Sequence, residues 1–282
     1  MIETITELSA PGSPTVSNQD RAGHAGALAW VIDGATPLGP ALTPGGDDAV
    51  WLADQLDAGL RAHAGCAETL PVLVRTVLTA VQAAYAPYHA AAPADSLPPT
   101  AGLALVRWAE THVEYCLLGD CTATLIFPAP EPSITLIGSP LLSRLDRRAL
   151  TAMGDLQARG LSLAEARAAI APILTAHRRL ANAPDGYAVC GPDPHAVDRA
   201  VVGTVARVSG MGVMLATDGF SRLWETLAVY PSAAATFAAL QASSPAALLT
   251  QLRAAEAADG DAVQYPRFKV HDDASVVVIE AL

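Results

Sequence analysis

Lysine is almost missing from this chain. Lys269 is the only one among 282 residues, against 16 arginines. Alongside the abundant Ala and Pro, that shortage reads as a compositional bias rather than as phosphate recognition. Charged residues of every kind amount to 16% and hydrophobic residues to 51%, a balance that excludes an extensively disordered polymer. Basic residues are outnumbered 17 to 28, for a formal net charge of −11. No nucleic-acid partner is expected, because neutralising a phosphate backbone needs clustered Lys and Arg.

Cysteine is sparse as well. Cys66, Cys116, Cys121 and Cys190 form no C-x-x-C pair, and no Cys/His cluster has zinc-ligand spacing. Free buried thiols in a reducing, cytoplasmic setting are the expectation. The opening MIETITELSAPG lacks a basic start and an apolar run, so no secretory signal is expected. Residues 226–252 carry no charge, yet Pro231, Gln241, Pro245 and Gln251 interrupt them. They predict two short helices, and no membrane association is expected.

The length allows one large domain or two small ones at roughly 150 residues each. No internal repeat or clear linker divides the chain, so one domain over residues 1–282 is expected. Apolar runs at 25–33, 211–217 and 275–280 predict buried strands. Residues 101–108, 113–118 and 122–127 predict an antiparallel meander, with short strands at 134–137 and 186–190. Helical periodicity marks 47–63 and 69–85. Residues 141–180 read as helical, broken near Gly154 and Gly160, and further helices follow to about residue 258. Strands and helices do not alternate strictly, which argues against a doubly wound parallel sheet and for antiparallel sheets covered by helices.

Aspartate is in surplus, 18 against 10 glutamates. Most read as caps and turns. Several share a different pattern. Asp20 precedes the first strand, Asp33-Gly34 ends it, Asp218-Gly219 ends the 211–217 strand, and Asp272-Asp273 precedes the last. Asp120 follows Gly119 where two strands turn. A carboxylate at a strand end is held on a rigid element, and several brought together make an oxygen cage for Mg2+ or Mn2+. A glycine after the aspartate leaves its carbonyl open to an ion. A lone strand-ending Asp-Gly is more often just a turn; the set is what points to a metal.

The ordered pieces NQD at 18–20, VIDG at 31–34, LLGD at 117–120, MLATDG at 214–219 and DDASVVVI at 272–279 resemble the metal-dependent protein phosphatase family of the 2C type. The segment DGYAVCGPDPHAVDRAV is similar to one in its bacterial phosphatase-like branch. The resemblance implies an α+β fold: two packed antiparallel sheets flanked by helices. It implies two Mn2+ or Mg2+ ions and a third, weaker site. Asp33 would bridge two ions, with the Gly34 carbonyl on one. Asp218 and Asp272 would hold the other, Asp20 would position water, and Asp120 would serve the third site. The implied reaction is attack of metal-activated water on a phosphoserine or phosphothreonine protein.

The sequence also departs from that pattern. Gln19 replaces the usual Glu, which removes a charge. Thr15 stands where a phosphate-binding Arg is common, and it cannot clamp a phosphate. Residues 35–39 replace the usual Gly-Gly. Arg144, Arg147, Arg148, Arg178 and Arg179 fall where relatives carry a variable flap, although a solvated helix face is their simpler role. His271 is a candidate proton donor, with a surface histidine the simpler reading. The departures leave three readings open: an active protein phosphatase, a catalytically weakened binding or regulatory module, and a small-molecule phosphatase.

Overall fold

The computed structural model describes residues 4–128 and 133–280. The chain begins with three strands, β1 (Thr4–Ala10), β2 (Asp20–Ala25) and β3 (Leu28–Gly34), then two helices, α1 (Asp48–Ala62) and α2 (Leu70–Ala91). Four strands follow: β4 (Ala101–Trp108), β5 (His112–Leu118), β6 (Thr122–Ile126) and β7 (Ile134–Ile137). Next come α3 (Pro140–Ala158), α4 (Leu163–Ala169) and α5 (Ala171–Arg178). Strands β8 (Val201–Ala206) and β9 (Gly212–Ala216) precede α6 (Asp218–Glu225), α7 (Ala233–Ala242) and α8 (Pro245–Ala258), and β10 (Ala274–Glu280) ends the order.

The strands form two five-stranded sheets, ordered β1-β10-β9-β6-β7 and β2-β3-β4-β5-β8. Every pairing within them is antiparallel. Successive side chains of a strand point to opposite faces, and here both faces are covered. On β3, Ala29 and Val31 join Ala104, Leu215 and Val277 in a core between the sheets. Leu28, Trp30 and Ile32 pack the other way, against Leu52, Leu56, Leu73 and Val77 of α1 and α2. Met214, Val276 and Val278 likewise turn outward onto Phe220, Phe237 and Leu252 of α6 to α8. Burial on both faces explains why these strands read as unbroken apolar runs. The expected α+β sandwich is the fold observed.

Local expectations needed correction. The run 25–33 is not one strand: it turns at Gly26-Ala27, and β2 and β3 pair as a hairpin. Strand β2 therefore starts at Asp20 itself. Residues 186–190 make only isolated bridges, Tyr187 to Ala181 and Cys190 to Ala101. α3 runs through Gly154, because Met153 is buried and its helix face packs on Ala166 and Ile170. The break comes at Gly160, where φ is +97°. Strands β1 and β8 escaped the sequence reading. Both lie at sheet edges and mix exposed with half-buried positions instead of showing a buried run. The helices at 233–242 and 245–258 lie where two were expected. Among the described residues, no helix is long and apolar enough to cross a membrane.

Candidate active site

The ends of strands from both sheets deliver the predicted carboxylates to one place. On β3, Asp33 continues the row of Ala29 and Val31, so it emerges where the two sheets part. Asp20 pairs directly across from Asp33, and Asp33 across from Gly102 of β4. The short turn from β5 to β6 returns Asp120 over the same glycine. A Cβ on Gly102 would lie 3.0 Å from Asp120 Oδ1 and 3.5 Å from Asp33 Cβ. From the other sheet, the Thr217 hydroxyl donates to Asp20 Oδ2 at 2.8 Å. The Asp218 N–H points to Asp33 Oδ2 at 3.4 Å.

Two glycines set these approaches. A Cβ on Gly219 would stand 1.9 Å from the Asp273 carbonyl oxygen and 3.3 Å from Asp272 Cβ, so only glycine lets Asp218 come up beside Asp272. A Cβ on Gly34 would stand 2.4 Å from the Gln19 carbonyl, which accepts the Gly34 N–H at 3.1 Å. Close chain packing is thus reason enough for that glycine. Asp273 belongs to the frame: it accepts the Gly12 and Gln19 N–H groups, both at 2.7 Å. Asp20, Asp33, Gly34, Asp120, Asp218 and Asp272 all line one cleft of about 180 Å³. The structure therefore brings the six predicted residues together.

They are not alike electrostatically. Burial pushes the Asp33 carboxyl well above the ordinary carboxylate range, and Asp20, Asp218 and Asp120 push it the same way. Burial raises Asp20 as well, only partly offset by the Thr217 hydroxyl. Asp120 is pushed up to about 8 by burial, then by Asp218 and Asp146. Asp146 of α3, also in the cleft, is pushed up to about 7 by burial and by Asp218. Asp272 goes the other way. Burial would raise it, but Lys269 and Arg222 outweigh burial and hold it below the usual range. Lys269 Nζ donates to Asp272 Oδ1 at 2.8 Å, and Arg222 Nη2 to Asp272 Oδ2 at 2.8 Å.

A pH dependence follows. Between the ordinary 3.8 and about 8, the folded chain keeps a proton on Asp120 that the unfolded chain has released. The unfolded state then binds fewer protons, so stability falls as pH rises through that window. The same holds for Asp146 up to about 7. With chelator present, the Tm is expected to drop between about pH 5 and pH 8. Added Mn2+ should flatten the profile and release protons as it binds. Thermal melts across that range, with and without Mn2+, check this; a chelated protein whose Tm climbs with pH would contradict it.

The donor set around Asp20, Asp33, Asp120 and Asp218 is all oxygen, crowded and short of positive charge, which suits a hard divalent ion. Asp272 and Gln19 suit one less well. Asp272 is already matched by two cations. Gln19 is neutral, and its amide is tied up: Nε2 donates to Asp47 Oδ2 and Oε1 accepts from Thr36 Oγ1, both at 2.9 Å. Among the described residues, no three Cys, His, Asp or Glu side chains stand close enough to hold an ion as they are placed. The carboxylates ring the cleft, and an ion would have to draw them in.

The cleft also holds residues that the sequence did not single out. Lys269, Arg167, His177 and Asp146 line it. Lys269 stands three residues before Asp272, and its uniqueness was the one available signal. Of the five flap arginines, Arg178 lines the cleft and Arg179 the adjoining groove. Thr15 lies apart on an exposed turn with Ser13. His271 does not line the cleft; its Nδ1 contacts Glu256 Oε2 at 2.8 Å, so it stands away from the position of a proton donor.

No family model matches the sequence, and no curated protein matches it. Solved structures do. The catalytic domain of the serine/threonine phosphatase PstP, crystallised in complex with two manganese ions, is 17% identical with a TM-score of 0.58, covering 99% of this chain and 98% of that one. The Mycobacterium tuberculosis phosphatase PstP/Ppp is 16% identical with a TM-score of 0.59, covering 100% and 99%. Stp1 from Staphylococcus aureus is 12% identical with a TM-score of 0.57, covering 100% and 96%. Over its whole length, the chain has the fold of the 2C-type bacterial serine/threonine phosphatases.

Proposed function

We propose that this chain is a divalent-metal-dependent phosphomonoester hydrolase acting on phosphoserine or phosphothreonine in proteins, and that it works as one domain over residues 1–282. One observation carries the reading: Asp20, Asp33, Asp120, Asp218 and Asp272 share one cleft in a fold also found in serine/threonine phosphatases. Asp33, Asp218 and Asp120 would hold the ion, with the Gly34 carbonyl close by. Bound Mn2+ or Mg2+ supplies a Lewis acid, which acidifies water and offsets charge on phosphoryl oxygens.

The chain's own residues do the rest. Asp20, fixed by the Thr217 hydroxyl, is placed to orient water. Arg178 takes the part of the phosphate-binding arginine missing at Thr15. Its half-buried guanidinium lies in the cleft near Asp120, Asp146 and Tyr187, and one amino group donates to the Thr36 carbonyl at 3.3 Å. A guanidinium so held meets a phosphate with its remaining N–H groups. The four free cysteines agree with a reducing, cytoplasmic setting.

The test is release of phosphate from p-nitrophenyl phosphate and from a phosphothreonine peptide, with Mn2+, Mg2+ or chelator. Turnover that requires a divalent ion is expected. No turnover with any ion would overturn the reading. The pairing of Asp272 and the neutral Gln19 favour a second reading, a phosphopeptide-binding module; tight peptide binding without hydrolysis would select it.

A further inference from the structure

The cleft carboxylates fall into two groups. Among the described residues, Asp20, Asp33, Asp120 and Asp218 take part in no ion pair. Asp272 has both carboxylate oxygens engaged. Oδ1 accepts from Lys269 Nζ at 2.8 Å and from the Asp273 N–H at 3.1 Å; Oδ2 accepts from Arg222 Nη2 at 2.8 Å. Its backbone carbonyl accepts from Arg253 Nη2 at 2.7 Å.

The two cations are themselves held. Arg222 is buried, and its Nη1 donates to Glu256 Oε1 at 2.8 Å. Lys269 donates a second hydrogen bond, to Thr36 Oγ1 at 2.9 Å. Thr36 in turn donates to Gln19 Oε1. Lys269 and Thr36 line one wall of the cleft, and a chain of hydrogen bonds runs from them to Gln19 and Asp47 behind it. The ammonium lies between Asp272 and that wall. A second dication beside Asp272 would meet like charge from Lys269 and Arg222, and would find a neutral amide at Gln19 in place of another carboxylate.

We propose that the cleft takes one divalent ion, on the Asp33, Asp218 and Asp120 side, and that the Lys269 ammonium stands at Asp272 in place of a second. The proposal rests on the metal-dependent reading above and refines it. The lysine acts as a fixed, exchange-free cation. It supplies one positive charge where an ion would supply two, and, with two N–H groups given to Asp272 and Thr36, one further donor where an ion would present open coordination positions. It would therefore balance Asp272 and could donate to a phosphoryl oxygen, but it cannot activate water.

Mn2+ titration of the full chain by calorimetry, with electron paramagnetic resonance on the same samples, counts the ions. The wild type is expected to bind one Mn2+ with the hyperfine pattern of an isolated ion. Lys269→Met keeps the length of the side chain without its charge; it should gain a second, spin-coupled Mn2+, the second site tightening by about tenfold or more. Lys269→Arg keeps the charge and should still bind one. The wild-type count carries the test even if a variant fails to fold. Two coupled ions in the wild type would overturn the inference and leave the hydrolase reading intact. One ion without turnover would uphold the inference and remove that reading. No bound Mn2+ in either wild type or Lys269→Met would overturn both.

Discussion

Asp33→Asn is expected to lower kcat/KM by about 1,000-fold or more and, in the same protein, to raise the Tm of the metal-free state by about 2–6 °C. Both effects come from one carboxylate. Asp33 is half-buried, faces Asp20 across the hairpin, and lies near Asp218 and Asp120. With no ion, its charge is desolvated and repelled. Asparagine has the same shape and can still accept the Asp218 N–H, so removing the charge relieves strain without opening a cavity. With an ion, that charge is what binds, and an amide oxygen is a poor substitute. Kinetics in Mn2+ and melts in chelator give the two readouts. Undiminished metal-dependent turnover, or a lower metal-free Tm, would refute the placement of Asp33 at the centre of the charge cluster.

The second large effect is on stability. Glu256→Ala is expected to destabilise the protein by about 3–5 kcal/mol, the range for breaking a buried ion pair. Glu256 is fully buried. Its Oε1 accepts from Arg222 Nη1 at 2.8 Å, and its Oε2 meets Arg253 Nη1 at 2.7 Å and His271 Nδ1 at 2.8 Å. Truncation leaves Arg222 buried with half of its partners gone, and opens space between α8 and the start of β10. The loosened guanidinium also loosens its hold on Asp272. Glu256→Gln, which keeps the shape and one acceptor, should do less harm. Urea denaturation of the three proteins checks this order; a loss below about 1 kcal/mol for the alanine variant would contradict it.

The carboxylates were legible because of what surrounds them. Strands covered on both faces must be apolar throughout, so Asp33 and Asp218 interrupt their runs visibly. Edge strands β1 and β8 carry no such constraint, which is why TITELSA and VVGTVA passed unread. The hairpin at Gly26 was hidden for another reason: the apolar run took in Ala25, the turn and β3, while the rest of β2, in DRAGHA, is polar and only partly buried at a sheet edge. What the sequence could not convey was partnership. Arg222 lies 50 positions from Asp272, and Thr217 lies 197 positions from Asp20; nothing local announces either bond. Lys269 is the sharpest case. Compositional bias accounts for there being one lysine, but not for its place in the cleft.

That solitary lysine makes the cleft addressable by chemistry that is usually indiscriminate. Beyond the chain's own terminal amine, an amine-directed reagent has a single target, Lys269. A protein grown on nitrogen-labelled lysine would carry one side-chain ammonium resonance, assigned without further work. Its shift and its exchange with solvent would follow the contact with Asp272 during titration with ion or phosphate. A scarcity of composition thus becomes a built-in reporter at the centre of the proposed site.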